Sequence, residues 1–336
     1  MKIDDESVDL FPTAEAIFRE YQDEILWLER RRRNLIITSV FTCLMIGVIV
    51  ALVMPLIIGI FRSPYQGSGA HHLTAELIYG LGALIAFGFI QYEFIDGFYR
   101  KLAKRKCLHI LASYLKMTYR RGGYFMMTDV YDHHILPPYA QRDVEEGFAG
   151  KFKGFRIEFQ DFVINPVRRF LDGSSSPTFR NFYGLALKVQ LNKSFKHHTV
   201  ILPAREQRRF LAQLPNANLF LHEDVNLVYN TFNRHYVCLS TNQIEARYVM
   251  DPAVMERFTH LAETFKTDVS ASFMDGEMVV MMRPKVNLFE IGSLRAPVTV
   301  LTIERTLQQI NALRQMAEIF ELDDKAGLGA RVRDYS

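Results

Sequence analysis

The chain is poor in the features that most often give a function away. It has three cysteines, Cys43, Cys107 and Cys238, far apart and without any C-x-x-C spacing. That excludes a disulfide-stapled fold and the common zinc or redox motifs, and fits free thiols in a reducing compartment. It has no excess of one charge: 40 Lys and Arg face 37 Asp and Glu, for a net +3. The two signs balance at 12 each up to residue 106, and stand at 28 basic to 25 acidic beyond it. A nucleic-acid surface needs a strong positive excess, so nucleic acid is not an expected partner. There is no P-loop, no G-x-G-x-x-G before a helix, no G-x-S-x-G and no H-E-x-x-H. No cofactor is therefore expected, and enzyme readings lose ground. Gly (19) and Pro (12) are too few for a collagen-like chain, and 49% hydrophobic residues are too many for a disordered one.

What the chain does have is apolar length. Leu35 to Phe61 runs 27 residues without a charge. About 20 apolar residues cross the hydrocarbon core as a helix, so this reads as a membrane span. It starts too late, runs too long and lacks the small-x-small ending of a signal peptide. Leu77 to Ile95 is a second, less pure run, with Glu93 near its end. Glu93 and Asp96 fall close to Arg100 and Lys101, where a headgroup-level ion pair is expected. Basic residues flank the cytoplasmic ends of spans. Here Arg30, Arg31, Arg32 and Arg33 precede the first run, and Arg100, Lys101, Lys104, Arg105 and Lys106 follow the second. Both termini are expected inside, with these nine cations as membrane anchors. On the first run Cys43, Gly47, Ala51, Pro55 and Gly59 recur every four residues; Gly80, Gly82, Ala86 and Gly88 are the small residues of the second. Small residues let two helices approach closely in lipid.

Both spans are expected to continue into the cytosol and pack as a stalk. Pro12-Thr13-Ala14-Glu15 reads as a helix start, and Ile17, Phe18, Tyr21, Ile25 and Leu28 recur at helical spacing. Trp27 and the four arginines also suit an amphipathic helix lying on the leaflet. Leu108, Leu111, Leu115 and Thr118 mark one face of the returning helix, expected to end near Arg121 before Gly122-Gly123.

From Tyr124 the pattern turns mixed. Alternation marks strands over 153–164, 181–191 and 199–202, with shorter ones at 219–221 and 236–239. Pro203 opens a helix expected over 204–213. Asp251-Pro252 is a cap and first-turn pair for a helix to Phe265. Asp275-Gly276 joins strands 269–274 and 277–283 as a hairpin. A last helix is expected over 297–320 with Val300, Ile303, Leu307, Ile310 and Leu313 inward. Strands in runs point to an α+β fold with a mainly antiparallel sheet. The expected organisation is an N-terminal cytosolic helix in 1–34, spans at 35–61 and 77–99 joined by an extracytoplasmic loop at 62–76, a cytosolic stalk helix at 100–121, the cytosolic α+β domain at 122–322 and a mobile tail at 323–336.

Chemistry is sparse. The histidines include three adjacent pairs, His71-His72, His133-His134 and His197-His198. Asp132-His133-His134 is the one cluster with both carboxylate and imidazole, and so the candidate metal site. Adjacent residues on a strand point to opposite faces, which weighs against both histidines of a pair serving one metal. Ser240 with His235 is a conceivable nucleophile and base. The competing reading is that Ser240 or Thr241 caps a helix beginning at Asn242. Glu245 and Arg247 read as a structural ion pair, and Phe289-Glu290 as the end of a strand.

One resemblance emerges. The stretches Phe182-Tyr-Gly-Leu185, Lys193-Ser-Phe195, Thr199-Val-Ile-Leu-Pro203, Glu245-Ala246-Arg247-Tyr248 with Met255-Glu256-Arg257, Ser272-Phe-Met-Asp-Gly276 and Leu288-Phe-Glu290 stand together behind two early spans. This resembles an uncharacterised bacterial two-span membrane family with a cytosolic domain of unknown function, sometimes mislabelled galanin, over roughly residues 30 to 320. Where that family shows a Gly after Lys-Ser-Phe, this chain has Lys196-His197-His198. The resemblance implies an inner-membrane protein and no reaction. The expected function is a non-enzymatic scaffold or interaction domain at the membrane. Its partners would be the lipid bilayer, another membrane or cytosolic protein, and a second copy of itself. The alternatives are a membrane-associated hydrolase with a His/Asp metal site and an accessory subunit of a transporter.

Overall fold

The computed structural model describes residues 13–61, 70–136, 139–152, 154–169, 175–177, 182–191, 196–207, 222–228, 230–284 and 288–325. The chain forms two compact units, Met1–Leu108 with Glu290–Glu304, and His109–Phe289 with Arg305–Ser336. The α+β region expected to run unbroken from 122 to 322 is thus interrupted, because residues 290–304 join the helical unit.

The helical unit contains α1 (Ala14–Glu20), α2 (Gln22–Phe61) and α3 (Ala70–Tyr114), which continues beyond residue 108 into the other unit. Thr13 caps α1, its side chain accepting from the Ala16 N–H. Ile17, Ile25 and Leu28 are buried, as is Tyr99 of α3. The Tyr99 hydroxyl donates to the Leu28 carbonyl at 3.5 Å, and Lys106 pairs with Glu24 at 3.1 Å. Trp27 stays half-exposed under the Lys106 ammonium, 5.4 Å from its ring centre. Further along, the Gln91 carboxamide donates to the Thr42 hydroxyl and accepts from the Cys43 thiol at 3.0 Å. A Cβ on Gly47 would lie 3.1 Å from Leu84, and one on Gly88 would lie 3.7 Å from Cys43. The side chains of Ala51, Gly59 and Gly80 lie outside the described residues, as do those of His71 and His72. By length and composition one helix among the described residues, through Gln22–Val50, is apolar enough to cross a membrane.

The second unit is built on a ten-stranded sheet, β1 (Thr118–Arg121), β2 (Tyr139–Phe152), β3 (Phe155–Arg169), β4 (Ser175–Pro177), β5 (Phe182–Gln190), β6 (Thr199–Pro203), β7 (Glu223–Asp224), β8 (Tyr236–Ser240), β9 (Val269–Met274) and β10 (Glu277–Met282). The order is β1-β2-β3-β5-β10-β9-β6-β8-β7, with β4 on β3, and every described pairing is antiparallel. Its helices among the described residues include α4 (Met127–Asp132), α5 (Asn230–Asn233), α6 (Gln243–Val249), α7 (Pro252–Phe265) and α8 (Val300–Lys325), whose first residues fall in the helical unit.

Strand alternation sorts the core into two faces. Phe162, Ile164, Ala186, Val200, Leu202, Leu239, Val279 and Met281 face one way, under Met127 and Val130 of α4. Their neighbours on the strands face the other way. There Phe148 stacks on Phe159 at 4.9 Å, Tyr236 on Phe232 at 4.9 Å, and Phe258 of α7 meets Phe232 edge-on. Arg257 of α7 reaches Gln315 of α8, whose Arg314 lies 4.2 Å from the Phe152 ring centre. The sheet is therefore sandwiched between the short α4 on one side and α7 with α8 on the other.

Several expectations fall to local causes. The helix expected to reach Arg121 ends at Tyr114, because Lys116 turns left-handed (φ 55°) and Met117 N–H closes back on the Ala112 carbonyl. Residues 118–121 then pair with β2 instead. Strand β2 itself was not legible, since its register slips between Val144 and Gly147 and the bulge breaks the alternation. Of the helix expected over 204–213, the 3-10 turn Ala204–Glu206 and helical Gln207 are described; residues 208–213 and the strand expected at 219–221 lie outside the described residues. Asn242, not Ser240 or Thr241, caps α6, its side chain accepting from Ile244 and Glu245 N–H groups. Phe289 sits in a turn (φ 57°) packed on Phe148 and Phe159 and does not end a strand, since β10 stops at Met282.

Candidate functional site

The most distinctive polar cluster lies inside the second unit. Helix α4 ends at His133, and His134 turns left-handed (φ 58°), so the two rings diverge from their shared backbone. His133 Nδ1 meets the Ser272 hydroxyl of β9 at 2.8 Å. His198, at the entry of β6, reaches the same hydroxyl through Nε2 at 2.9 Å. His198 Nδ1 in turn meets His222 Nε2 at 3.1 Å, and the His134 ring lies 6.1 Å from that of His198. Four histidines from three separate segments thus gather around one fully buried serine.

Proton bookkeeping constrains this chain. Ser272 has one hydroxyl proton, so it can donate to at most one of the two rings and must accept the N–H of the other. His198 has one ring proton when neutral, so its bond to His222 must run in the same sense as its bond to Ser272. Burial pushes the His133 pKa down to about 4, with Lys188 and His134 adding repulsion. Burial likewise pushes His198 down to about 3, and lowers His134. These rings are uncharged near neutral pH.

Such an arrangement pins α4 and two loops onto the sheet; it does not expose a nucleophile, because Ser272 has no accessible surface. Asp132, His133 and His134 are not brought together as a ligand set. Asp132 is exposed at the end of α4 while His133 points inward to Ser272, and among the described residues no three His, Cys, Asp or Glu side chains are placed to hold a metal ion. The Ser240–His235 pairing also fails. Ser240 is buried against Thr199 at 2.8 Å, and His235 is exposed. Nor do Glu245 and Arg247 pair: Glu245 accepts the His197 N–H at 3.1 Å and Arg247 donates to Gln243 at 3.2 Å. The rest of that signature is packing and surface. Ala246 and Met255 are buried, Tyr248 is half-buried, Glu256 is exposed, and Arg257 holds Gln315.

A second polar group sits at the β2 bulge. Asp161 accepts the Glu146 N–H at 2.6 Å, and the Tyr119 hydroxyl donates to Glu146. The adjoining cavity, lined by Glu145, Asp161, Tyr183 and Leu288 among others, has room for about one water.

The helical unit holds a third. Residues 290–299 cross the helix pair as a strap whose anchor is the backbone of buried Leu294. Its N–H donates to Asp96 Oδ1 of α3 at 2.7 Å, and its carbonyl accepts from Arg32 Nη1 of α2 at 2.8 Å. Both clamps are themselves held. Asp96 pairs with Arg100 at 2.5 Å, and Arg32 pairs with Glu29, which keeps the Glu29 carboxyl below its usual range. Arg100 also reaches Glu290 at 3.4 Å, and Arg295 donates to the Tyr92 hydroxyl at 2.9 Å. The basic clusters therefore divide. Arg32 and Arg100 are committed to the strap, Lys106 to Glu24, and Lys104 is buried. Arg105 is half-buried with its Nε unbonded, whereas Arg30, Arg31, Arg33 and Lys101 are exposed. Nothing local in the sequence announces the strap, because its contacts to the helices span roughly 190 to 260 positions.

Residues 180–322 match a family described as a protein of unknown function, DUF3137. None of the curated proteins matches the chain. Among solved structures it is similar to the crystal structure of the mycobacterial trehalose monomycolate transport factor A, TtfA, at 11% identity and a TM-score of 0.33, over 64% of this chain and 94% of that one. Likeness at that level is too slight to transfer a role.

Proposed function

We propose that this is a non-enzymatic membrane protein whose helix pair crosses the bacterial inner membrane twice and presents the α+β domain to the cytosol as an interaction module. The observation that carries this reading is the distribution of exposed apolar side chains. On α2, Ile37, Val40, Phe41, Leu44, Val48 and Leu52 are more than half exposed; on α3, so are Leu81, Ile85, Phe89, Ile90 and Phe94. Elsewhere among the described residues only Met126, Tyr183, Val228, Ile244 and Leu301 are large, apolar and exposed, at scattered positions. A continuous belt of this kind is not tolerated in water and is the surface expected against lipid.

The strap adjusts where the membrane begins. Its polar contacts occupy Arg32 on α2 and Tyr92, Asp96 and Arg100 on α3. Hydrocarbon cannot cover those groups without several kcal/mol of cost, on the order of 2.5 or more per charge. On the strap side the spans then meet the bilayer near residue 40 of α2 and residue 91 of α3. Exposed Arg30, Arg31, Arg33 and Lys101 lie on the strap side of that boundary, which favours a cytosolic location for the domain. Carbonate washing and protease treatment of sealed inverted vesicles test the reading together. The chain should stay in the membrane pellet while residues 107–336 are digested. Release by carbonate, or full protection of the domain, would overturn it.

A further inference from the structure

Arg295, the strap's own arginine, has no acidic partner among the described residues. Its Nε donates to the Tyr92 hydroxyl at 2.9 Å, and its guanidinium carbon stands 5.1 Å from the Tyr92 ring centre. One face is thus braced by an aromatic ring and one of five N–H groups is used. The side chain is exposed, and no carboxylate pairs with it among the described residues. Glu93, next to Tyr92 in sequence, lies in the electrostatic range of Arg100.

Its depth is the informative part. Tyr92 is flanked on α3 by Phe89, Ile90 and Phe94, which are 63%, 67% and 78% exposed and belong to the apolar belt. The strap has therefore carried a cation from the distal end of the chain to the edge of that belt. An unpaired guanidinium beside hydrocarbon is costly. The anion available at that level is a lipid phosphate, which a planar guanidinium grips with two parallel hydrogen bonds. Building on the membrane reading above, we propose that Arg295, oriented by Tyr92, binds the headgroup phosphate of an anionic phospholipid in the inner leaflet. Arg32 and Arg100 cannot serve in its place, since both are spent on the strap and its carboxylates.

The test uses the full chain in mild detergent, with phosphatidylglycerol and phosphatidylcholine titrated separately and bound lipid counted by native mass spectrometry. Wild type should retain phosphatidylglycerol about fivefold better than Arg295→Gln, the effect expected of one basic residue at a charged surface. Arg295→Lys should recover only part of the retention, because an ammonium keeps the charge but loses the two parallel hydrogen bonds and the Tyr92 brace. Equal retention by wild type and Arg295→Gln would overturn the proposal, as would equal retention of both lipids by wild type. Inorganic phosphate displacing phosphatidylglycerol at millimolar levels would show that the site takes a free anion, and would also overturn it. Carbonate washing of the same variants separates this result from the anchor. If both resist extraction while lipid retention is unchanged, the lipid site alone fails.

Discussion

Acidification should unlock the histidine cluster, and the size of the effect follows from the structure. His133 and His198 have folded pKa values near 4 and 3, against about 6.5 in an unfolded chain. Because the folded values are depressed, the unfolded chain takes up protons first as pH falls below about 6.5. Stability is then lost progressively until the folded state also protonates, below pH 4 and 3. At pH 5 each ring costs about 2 kcal/mol, or about 4 together, relative to pH 7.5. The assay is urea unfolding in detergent at pH 7.5 and pH 5, for wild type and His133→Gln. Carboxylates titrate in both proteins, so the informative quantity is the difference in their pH-dependent losses. The variant should lose about 2 kcal/mol less than wild type between the two pH values. Equal losses would mean that His133 is not held neutral by burial, and the reasoning would fail. Ring nitrogen chemical shifts at pH 5 provide a check that does not depend on the variant's stability: the His133 imidazole should still be neutral.

Three further outcomes test the packing. Asp96→Asn keeps an acceptor for the Leu294 N–H but loses the charge that also holds Arg100, and should cost about 2 kcal/mol; faster amide exchange at Leu294 is the readout. Gly184→Ala places a Cβ 2.2 Å from the buried Phe162 ring, so a loss of about 1–3 kcal/mol is expected in urea melts of the purified protein. In the helix pair, Gly47→Leu should weaken association more than Gln91→Leu, because it forces Leu84 away across the seam whereas an interhelical hydrogen bond in lipid is worth only about 0.6 kcal/mol; unfolding in mixed micelles compares them.

Local rules succeeded in this chain where a single segment decides its own conformation. Asp251 caps α7 with Pro252 in its first turn, and Asp275-Gly276 adopts positive φ at both positions, as a two-residue hairpin turn requires. Ile303, Leu307, Ile310 and Leu313 are buried as their spacing predicts, whereas Val300, expected inward with them, is only half-buried. Failures cluster where a second segment decides. Strand β2 carries Asp143, Glu145 and Glu146 in a bulge, and its pattern makes sense only beside Asp161 of β3. The adjacent pair His133-His134 looked like a ligand set because the sequence shows neighbours, whereas the structure joins His133 to Ser272, 139 positions away. His222 had no signal at all, since its partner His198 belongs to another strand's entry. Charge spacing misled for the same reason: Glu245 and Arg247 are near each other in the chain, yet each is closer to a better partner.

The basic clusters show how far a counting rule reaches. Arginines at a span's end say on which side of the membrane they lie, because the cost of moving charge across lipid depends little on its exact position. They do not say where the hydrocarbon starts. Arg32 looks like its three neighbours in sequence, but it alone reaches the Leu294 carbonyl, and Asp96 alone takes the matching N–H. A backbone amide and carbonyl of one residue are therefore satisfied by side chains from two helices, which is stable only where those helices hold a fixed register. The pairs Tyr99 with Leu28, Gln91 with Cys43 and Gly47 with Leu84 keep that register over the seam. A shift of one helical turn would move Asp96 about 5 Å from Leu294 while leaving Arg32 in place. The strap is thus a constraint on the helix pair and, on the membrane reading proposed above, a marker of where the bilayer begins. That use explains why four charged residues are spent on each other and on one leucine backbone rather than on solvent.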